Sequence, residues 1–231
     1  MYNCQMLNSR IYLITGASGA VAHSIITKFN SLGTTLYLLD RPSPTPREQL
    51  FGTSITADLS TFEGAEKAVD QIIEAHGRLD GVIHTIGGFA IESILEYKPS
   101  TYDQMMDSNL RSTVNIAAAT AAVLEQSQGF FGVISAGQVI RGSGANLALY
   151  TAAKGAMALF INSLAAEIKA VRYGVVYPMG AIDTPANRKN MPTADTSTWI
   201  DPSEIAEAFA YMATRSGRGR VQEVQVFPNQ G

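Results

Sequence analysis

Tyr150 and Lys154 stand four residues apart, in a segment whose apolar spacing predicts a helix. This spacing places the phenol and the ammonium on one face of that helix. A tyrosine exchanges its proton poorly near neutral pH because its reference pKa is about 10. A cation about 4 Å away favours the phenolate by about 4 kcal/mol at an effective dielectric of about 20. The pair therefore predicts proton transfer by Tyr150, with Lys154 lowering the pKa of the phenol; an exposed helical pair without a function is the alternative.

A glycine-containing turn occupies residues 15–22, TGASGAVA, between an apolar run and a predicted helix. The unpaired N–H groups and the dipole at the start of a helix attract phosphate groups. We expect the pyrophosphate of a dinucleotide to bind here, at Gly16, Ser18, Gly19, Ala20 and Val21. A tight turn that binds nothing is the alternative interpretation.

Asp40 ends the second predicted strand, 24 residues after Gly16. A carboxylate at this distance accepts hydrogen bonds from both adenosine ribose hydroxyls and repels a 2′-phosphate. The residue therefore favours NAD(H). Because the neighbouring Arg41 can pair with a 2′-phosphate, NADP(H) is the alternative. Alternatively, Asp40 is only a polar strand end before Pro42.

Strand-like and helix-like segments alternate along the whole chain. The apolar runs predict strands at residues 10–15, 34–39, 54–57, 79–86, 130–135, 173–177 and 221–227. The first helical pattern follows the glycine turn and ends near residue 32. The others cover residues 61–76, 100–126, 147–171 and 202–215. This alternation predicts an α/β fold over residues 1–231, a single-domain Rossmann fold. Its doubly wound parallel sheet has about seven strands, with helices on both faces.

Composition excludes several classes of partner. With 46% hydrophobic and 16% charged residues, the chain suits a compact domain. A net charge of -3 without a long basic run argues against nucleic acid and anionic membrane. Cys4 is the one cysteine, so redox chemistry requires a bound cofactor and a small-molecule substrate rather than a disulfide or cysteine metal cluster. The first fifteen residues are too polar for a signal peptide or membrane helix, so a cytoplasmic protein is expected.

The order of these motifs resembles the short-chain dehydrogenase/reductase family across nearly the whole chain. The matching positions are the glycine turn, Asp58-Leu59, Gly87, Asn109, the Tyr150 and Lys154 pair, and residues 178–184. The resemblance implies a nicotinamide-dependent oxidoreductase with Tyr150 as proton donor and Lys154 on the nicotinamide ribose. It also implies cofactor contacts at Pro178, Ile182 and Thr184.

The same resemblance implies roles for residues outside the Tyr150 segment. Asp58, followed by Leu59, matches the family's adenine contact; capping of the helix that begins near Thr61 is the alternative. Asn109 matches the asparagine that anchors a water leading to the lysine, or else it is a helix-interior asparagine without a task. His84 is interpreted as a buried polar group rather than a catalyst.

The chain lacks the family's substrate-orienting serine. Its position, 13 residues before the tyrosine, is Gly137, and Ser135 should point to another face because strand side chains alternate. Dihydropteridine reductases also lack this serine. The chain resembles that branch at residues 87–90, 153–156 and 183–195, the last followed by Trp199. This resemblance implies a quinonoid dihydropterin as substrate.

Residues 183–200 are expected to form a lid over the substrate, with an ordinary surface loop as the alternative. The predicted reaction is hydride transfer from NAD(P)H to a small substrate. A general ketone or alcohol dehydrogenase and a non-catalytic nucleotide-sensing protein are the alternatives. Alanine-rich helices allow close contacts between chains, which favours a homodimer or homotetramer.

Overall fold

The fold is a parallel sheet of seven strands, given by a computed structural model that describes residues 7–42, 51–142, 144–215 and 219–229. The strand order is β3-β2-β1-β4-β5-β6-β7. The strands are β1 Ile11–Thr15, β2 Thr35–Asp40, β3 Thr53–Thr56, β4 Gly81–His84, β5 Phe130–Ile134, β6 Arg172–Pro178 and β7 Glu223–Val226. The predicted doubly wound α/β fold is confirmed. Cys4 lies outside the described residues.

Eight α-helices connect or flank these strands within the described ranges. They are α1 Ala20–Ser31, α2 Phe62–His76, α3 Pro99–Met106, α4 Ser112–Ser127, α5 Gly137–Arg141, α6 Ala148–Glu167, α7 Pro185–Asn190 and α8 Pro202–Ala213. A π-helical turn, Asp107–Arg111, joins α3 to α4. Short 3-10 turns cover Ile94–Glu96 and Thr196–Thr198.

Two hydrophobic cores lie on opposite faces of the sheet. Helices α2, α4 and α6 contribute to one core, and helices α1 and α8 contribute to the other. Phe29 and Phe209 are fully buried in the second core, and burial of such a ring stabilises the fold by about 2 to 3 kcal/mol. The central strands are apolar on both faces because helices cover both sides.

The long middle helix differs from the prediction in one respect. The chain is helical from Pro99 to Ser127, close to the predicted residues 100–126, but the hydrogen-bond pattern changes to π at Asp107–Arg111. Such π turns are frequent at functional sites because they redirect side chains. This one contains the fully buried Asn109.

Residues 183–200 contain regular structure instead of a plain loop. They include α7 and a 3-10 turn, and a parallel bridge between Ile182 and Ile200 ties the two ends together. The Asp183 N–H donates to the Ile200 carbonyl, which strengthens this closure. A closed segment of this kind is compatible with a lid, which stays a prediction, as does assembly through the alanine-rich helices.

None of the helices in the described part of the chain combines the length and apolarity needed to cross a membrane.

His84 connects β1, β4 and the middle helix inside the protein. Thr15 Oγ1 lies 2.7 Å from Nδ1 of His84, and Ser112 Oγ lies 3.1 Å from Nε2. Because the Ser112 hydroxyl donates to the Ser108 carbonyl, we assign Nε2 as the protonated nitrogen. Burial lowers the pKa of His84 to about 3, with the charge of Lys154 contributing in the same direction. The predicted role as a buried polar group is confirmed.

This histidine gives a testable pH dependence of stability. Its folded pKa of about 3 lies below the unfolded value, so its stabilising effect is present above pH 6.5 and is lost toward pH 3. Because glutamine does not titrate, we expect the unfolding free energy of His84→Gln to fall less steeply with decreasing pH in this window. The slopes of the two proteins should differ by up to about 1.4 kcal/mol per pH unit. Urea unfolding at several pH values measures the slope. Equal slopes for both proteins contradict the assignment.

Candidate active site

The glycine turn follows β1 at the point where the strand order reverses, between β1 and β4. Gly16 has a φ of +69°, and a Cβ there would lie 3.0 Å from the side chains of Thr85 and Ile86. Gly19 precedes α1, and no side chain caps the first N–H groups of that helix. These donors and the helix dipole form an anion site that fits a pyrophosphate.

The short-chain pattern that this turn resembles, Thr-Gly-x-x-x-Gly-x-Gly, has its second and third glycines where this chain has Ala20 and Ala22. The two alanines do not break the turn. Ala22 is fully buried in the core shared by α1 and α8, where a methyl group is accommodated. Ala20 is the first residue of α1 and is partly exposed, as is Val21. The alternative glycine pattern therefore preserves the strand, turn and helix that a dinucleotide requires.

Asp40 lies at the end of β2 and contacts the glycine turn directly. Its carboxylate accepts hydrogen bonds from Ser18 N at 2.8 Å and Ser18 Oγ at 3.1 Å. The side chain thus holds Ser18 in place beside the start of α1, a contact that the sequence did not predict. Arg41 follows on the surface. Binding of ribose by Asp40 stays a prediction.

Asp58 is exposed at the end of β3, while Leu59 is buried. Asp58 does not cap α2, because the cap is Thr61, whose hydroxyl accepts a hydrogen bond from Gly64 N. Instead the Asp58 carboxylate accepts from Ser60 N at 2.9 Å, and this hydrogen bond lowers the pKa of Asp58. The capping alternative is therefore wrong, and the adenine contact stays a prediction.

Tyr150 and Lys154 line one cavity of about 500 Å³ at the carboxyl ends of β5 and β6. Their positions on α6 bring both side chains to the cavity, as the spacing predicts. The ring of Phe89 meets the ring of Tyr150 edge to face, with centroids 4.9 Å apart. Phe89 also lines the cavity and covers the tyrosine from the side of the loop after β4. Tyr150 and Lys154 thus share one cavity, with Phe89 against the phenol ring.

The protonation of this pair differs from the prediction. Burial raises the pKa of Tyr150 to about 12 and lowers the pKa of Lys154 to about 8. The Lys154 ammonium donates to the carbonyl of Ile134 at 2.8 Å and forms no hydrogen bond with the phenol. Desolvation therefore outweighs the expected lowering of the tyrosine pKa. The phenol is protonated at neutral pH and can donate a proton.

Gly87 and Asn109 approach the buried end of Lys154. A Cβ on Gly87 would lie 2.8 Å from Oδ1 of Asn109 and 2.8 Å from Nζ of Lys154. The Asn109 amide donates to Met105 O at 2.9 Å and to Gly88 O at 3.2 Å. Its Oδ1 is buried without a hydrogen-bond partner among the described residues, and a water can satisfy such an acceptor. Asn109 is thus well placed for the predicted water contact beside Lys154.

The position of the missing serine has no room for a side chain. A Cβ on Gly137 would lie 2.8 Å from the Pro178 carbonyl oxygen and 3.0 Å from Cα of Met179. Ser135 donates to the Lys154 carbonyl at 3.2 Å and is buried, so it supports the α6 backbone. The absence of the substrate-orienting hydroxyl at position 137 therefore follows from the backbone itself.

The segment after β6 supplies another wall of the cavity. Pro178, Ile182, Asn187 and Met191 line it, whereas Thr184 caps α7 by accepting from Asn187 N at 3.2 Å. Trp199 lies elsewhere, in a second cavity of about 500 Å³ with Asp183 and Asp201. Trp199 therefore does not line the Tyr150 cavity, and a covering role for residues 183–200 stays a prediction.

Sequence reasoning missed three side chains of the Tyr150 cavity. Phe89, Gln138 and Arg141 all line it. Gln138 and Arg141 share a face of α5 because they are three residues apart, but five residues are too few for a recognisable helical pattern. The glycine pair before Phe89 resembles a family branch but does not predict that this ring contacts Tyr150.

Comparison with known proteins is consistent with this site. The family model described as short chain dehydrogenase matches residues 10–195. An uncharacterized oxidoreductase of Staphylococcus aureus is 27% identical, covering 96% of this chain and 99% of the relative.

Two solved structures share the fold. The first is an alcohol dehydrogenase from the archaeon Thermococcus sibiricus, complexed with 5-hydroxy-NADP. It has a TM-score of 0.83 and 21% identity, covering 95% of this chain and 97% of that chain. The second is the aldohexose dehydrogenase of Thermoplasma acidophilum. It has a TM-score of 0.84 and 20% identity, covering 96% of this chain and 94% of that chain.

The family match covers most of the chain and includes the glycine turn, Asn109, Tyr150 and Lys154. The protein belongs to the short-chain dehydrogenase family of NAD(P)-dependent oxidoreductases.

Proposed function

We propose that this enzyme reduces the carbonyl or imine group of a small molecule at Tyr150, with NAD(H) as the preferred cofactor. The observation that carries the proposal is the shared cavity, which presents a protonated phenol and a buried ammonium at the carboxyl edge of the sheet. A nucleotide sensor has no need for this pair.

The residues around the site fit a dinucleotide. The uncapped start of α1 suits the pyrophosphate, and Gly16 leaves room for close approach of the backbone. Lys154 would hold the nicotinamide ribose, and Gly87, Pro178, Ile182 and Thr184 would surround the nicotinamide end. Reduced nicotinamide supplies a hydride, which carries both electrons, to the carbon of the substrate.

Tyr150 supplies the accompanying proton. Its O–H bond breaks as a new O–H bond forms on the substrate oxygen, or an N–H bond on an imine nitrogen, leaving a phenolate. The positive charge of Lys154, which lines the same cavity, stabilises that phenolate. Asn109 then holds the water through which a proton returns, using the unpartnered Oδ1 beside Lys154.

Removal of the phenol hydroxyl tests this assignment. We expect Tyr150→Phe to lower kcat by about 100- to 10,000-fold, because the proton donor is lost while the ring contact with Phe89 remains. NADH affinity, followed by fluorescence titration, should change by less than about twofold. Tyr211→Phe, an exposed tyrosine on α8, is the matched control and should retain full activity. Unchanged turnover by Tyr150→Phe contradicts the proposed role.

The preference for NAD(H) is a separate proposal that rests on the charge of Asp40. A 2′-phosphate beside this buried carboxylate meets repulsion in surroundings that screen charge poorly. Ser18 already donates two hydrogen bonds to the carboxylate, so the charge is held close to the ribose end of the dinucleotide site.

Two substitutions separate charge from structure at this position. Asp40→Asn removes the charge but keeps an acceptor for Ser18 N, and we expect the kcat/KM ratio of NADPH to NADH to rise about tenfold or more. Ser18→Ala removes one hydrogen bond and leaves the charge, so it should leave the ratio nearly unchanged. Steady-state kinetics with both cofactors measure the ratio. A preference of the natural protein for NADPH overturns the proposal.

A quinonoid dihydropterin is a second candidate substrate. The crowded position of Gly137 supports it, because a conjugated imine depends less than a ketone on an orienting hydroxyl. The likeness of residues 183–195 to the corresponding segment of dihydropteridine reductases points the same way.

Side-by-side assays decide between the two substrates. If the pterin is the natural substrate, its kcat/KM with NADH should exceed that of every ketone in a panel by about 100-fold, since specificity reflects differential binding of the transition state. A ketone that is reduced faster than the pterin removes this candidate and leaves the general reductase.

A further inference from the structure

The short helix α5 presents two polar side chains to the cavity that contains Tyr150. Gln138 and Arg141 lie three residues apart on the same face, directly after the position where the family serine would stand. The side-chain amide of Gln138 forms no hydrogen bond within the described part of the chain, so it is available to a ligand. These residues replace a single hydroxyl with an amide and a guanidinium.

Arg141 is held in place at the cavity but has no acidic partner among the residues that the structure describes. Its Nη2 donates to the Met179 carbonyl at the end of β6, which fixes the guanidinium beside the substrate space. Among the described residues, Arg141 makes no ion pair, whereas Arg111 and Arg188 each pair with a carboxylate on the protein surface. The remaining N–H groups of Arg141 can therefore bind an anion.

The charge of the cavity points in the same direction. Two cations, Arg141 and Lys154, line it, and none of its described lining residues is acidic. Much of the remaining wall is apolar, including Phe89, Ile182 and Met191. A guanidinium binds a carboxylate through two parallel hydrogen bonds. A single guanidinium suits this singly charged group better than a phosphate, which carries nearly two charges.

We propose that the substrate is a carbonyl compound with an apolar body and a carboxylate, and that Arg141 binds the carboxylate with Gln138 beside it. This inference rests on the proposed reduction at Tyr150 and adds the substrate class. Arg141 acts in binding and specificity, while Tyr150 keeps the proton transfer. The loss of the serine is then accompanied by a different way of orienting the substrate.

Benzoylformate and its methyl ester test the inference because they differ by one methyl group that removes the charge. With oxidised cofactor bound, neither ketone can be reduced, so calorimetry measures binding alone. We expect the natural protein to bind benzoylformate about 10- to 100-fold more tightly than the ester, as for a hydrogen bond to a charged group. This comparison requires no variant and therefore does not depend on the folding of one.

Two substitutions locate the preference. Arg141→Gln should abolish the preference for the acid and change binding of the ester by less than about threefold. Arg220→Gln is the matched control, since Arg220 also donates from one nitrogen to a backbone carbonyl, that of Lys169, away from the cavity. It should retain the preference. Arg141→Lys keeps the charge and should retain part of it, which a purely structural role for Arg141 does not explain.

The outcomes separate this inference from the proposed function. Equal binding of acid and ester, binding of neither, or a preference that survives in Arg141→Gln overturns the carboxylate assignment. If NADH is oxidised with the ester but not with benzoylformate, the carboxylate assignment is also wrong, whereas the proposed reduction at Tyr150 stands. Tight, Arg141-dependent binding of benzoylformate without NADH oxidation supports the anion site and counts against reduction at Tyr150.

Discussion

The buried ammonium of Lys154 is the constraint on which the rest of the site depends. An ammonium inside a protein loses its hydration, and here the cost appears as a pKa lowered to about 8. The carbonyl of Ile134 at the end of β5 accepts a hydrogen bond from the ammonium, and Asn109 and Gly87 lie close to the ammonium nitrogen. The site thus requires the ends of β4 and β5 and the π turn to meet at one point, which the fold provides.

Close backbone approach explains why glycines and the π turn surround this point. A side chain at position 87 would collide with Lys154 and Asn109, and one at position 137 would collide with the end of β6. Burial at these strand ends raises the pKa of Tyr150 to about 12 and keeps the phenol protonated. A protonated phenol fits the proposed transfer of a proton from the enzyme to the substrate.

The sequence predicts the parts of this site that depend on spacing along one element. Tyr150 and Lys154 share a helix face, the glycine turn follows β1, and alternating runs give the parallel sheet. Prediction from the sequence fails where contacts between segments that are distant in the chain decide the structure. The pKa of Tyr150 depends on burial by segments distant in the chain, such as the one that carries Phe89. The contact between Ser18 and Asp40 joins the turn after β1 to the end of β2, and Trp199 lines a cavity other than that of Tyr150. Burial and contacts between distant segments do not follow from local spacing.

The residues proposed for catalysis and those proposed for substrate binding lie on different elements of the fold. The residues proposed for cofactor binding and proton transfer lie after β1, in the π turn and on α6, and these elements pack through the cores on the two faces of the sheet. The proposed substrate walls come from α5 and from the segment after β6, which are joined by the Arg141 contact with Met179 and by the crowded Gly137. Gln138 and Arg141 lie on α5, whereas Tyr150 and Lys154 lie on α6. Loss of the orienting serine is therefore compatible with intact catalysis, provided that another wall residue orients the substrate.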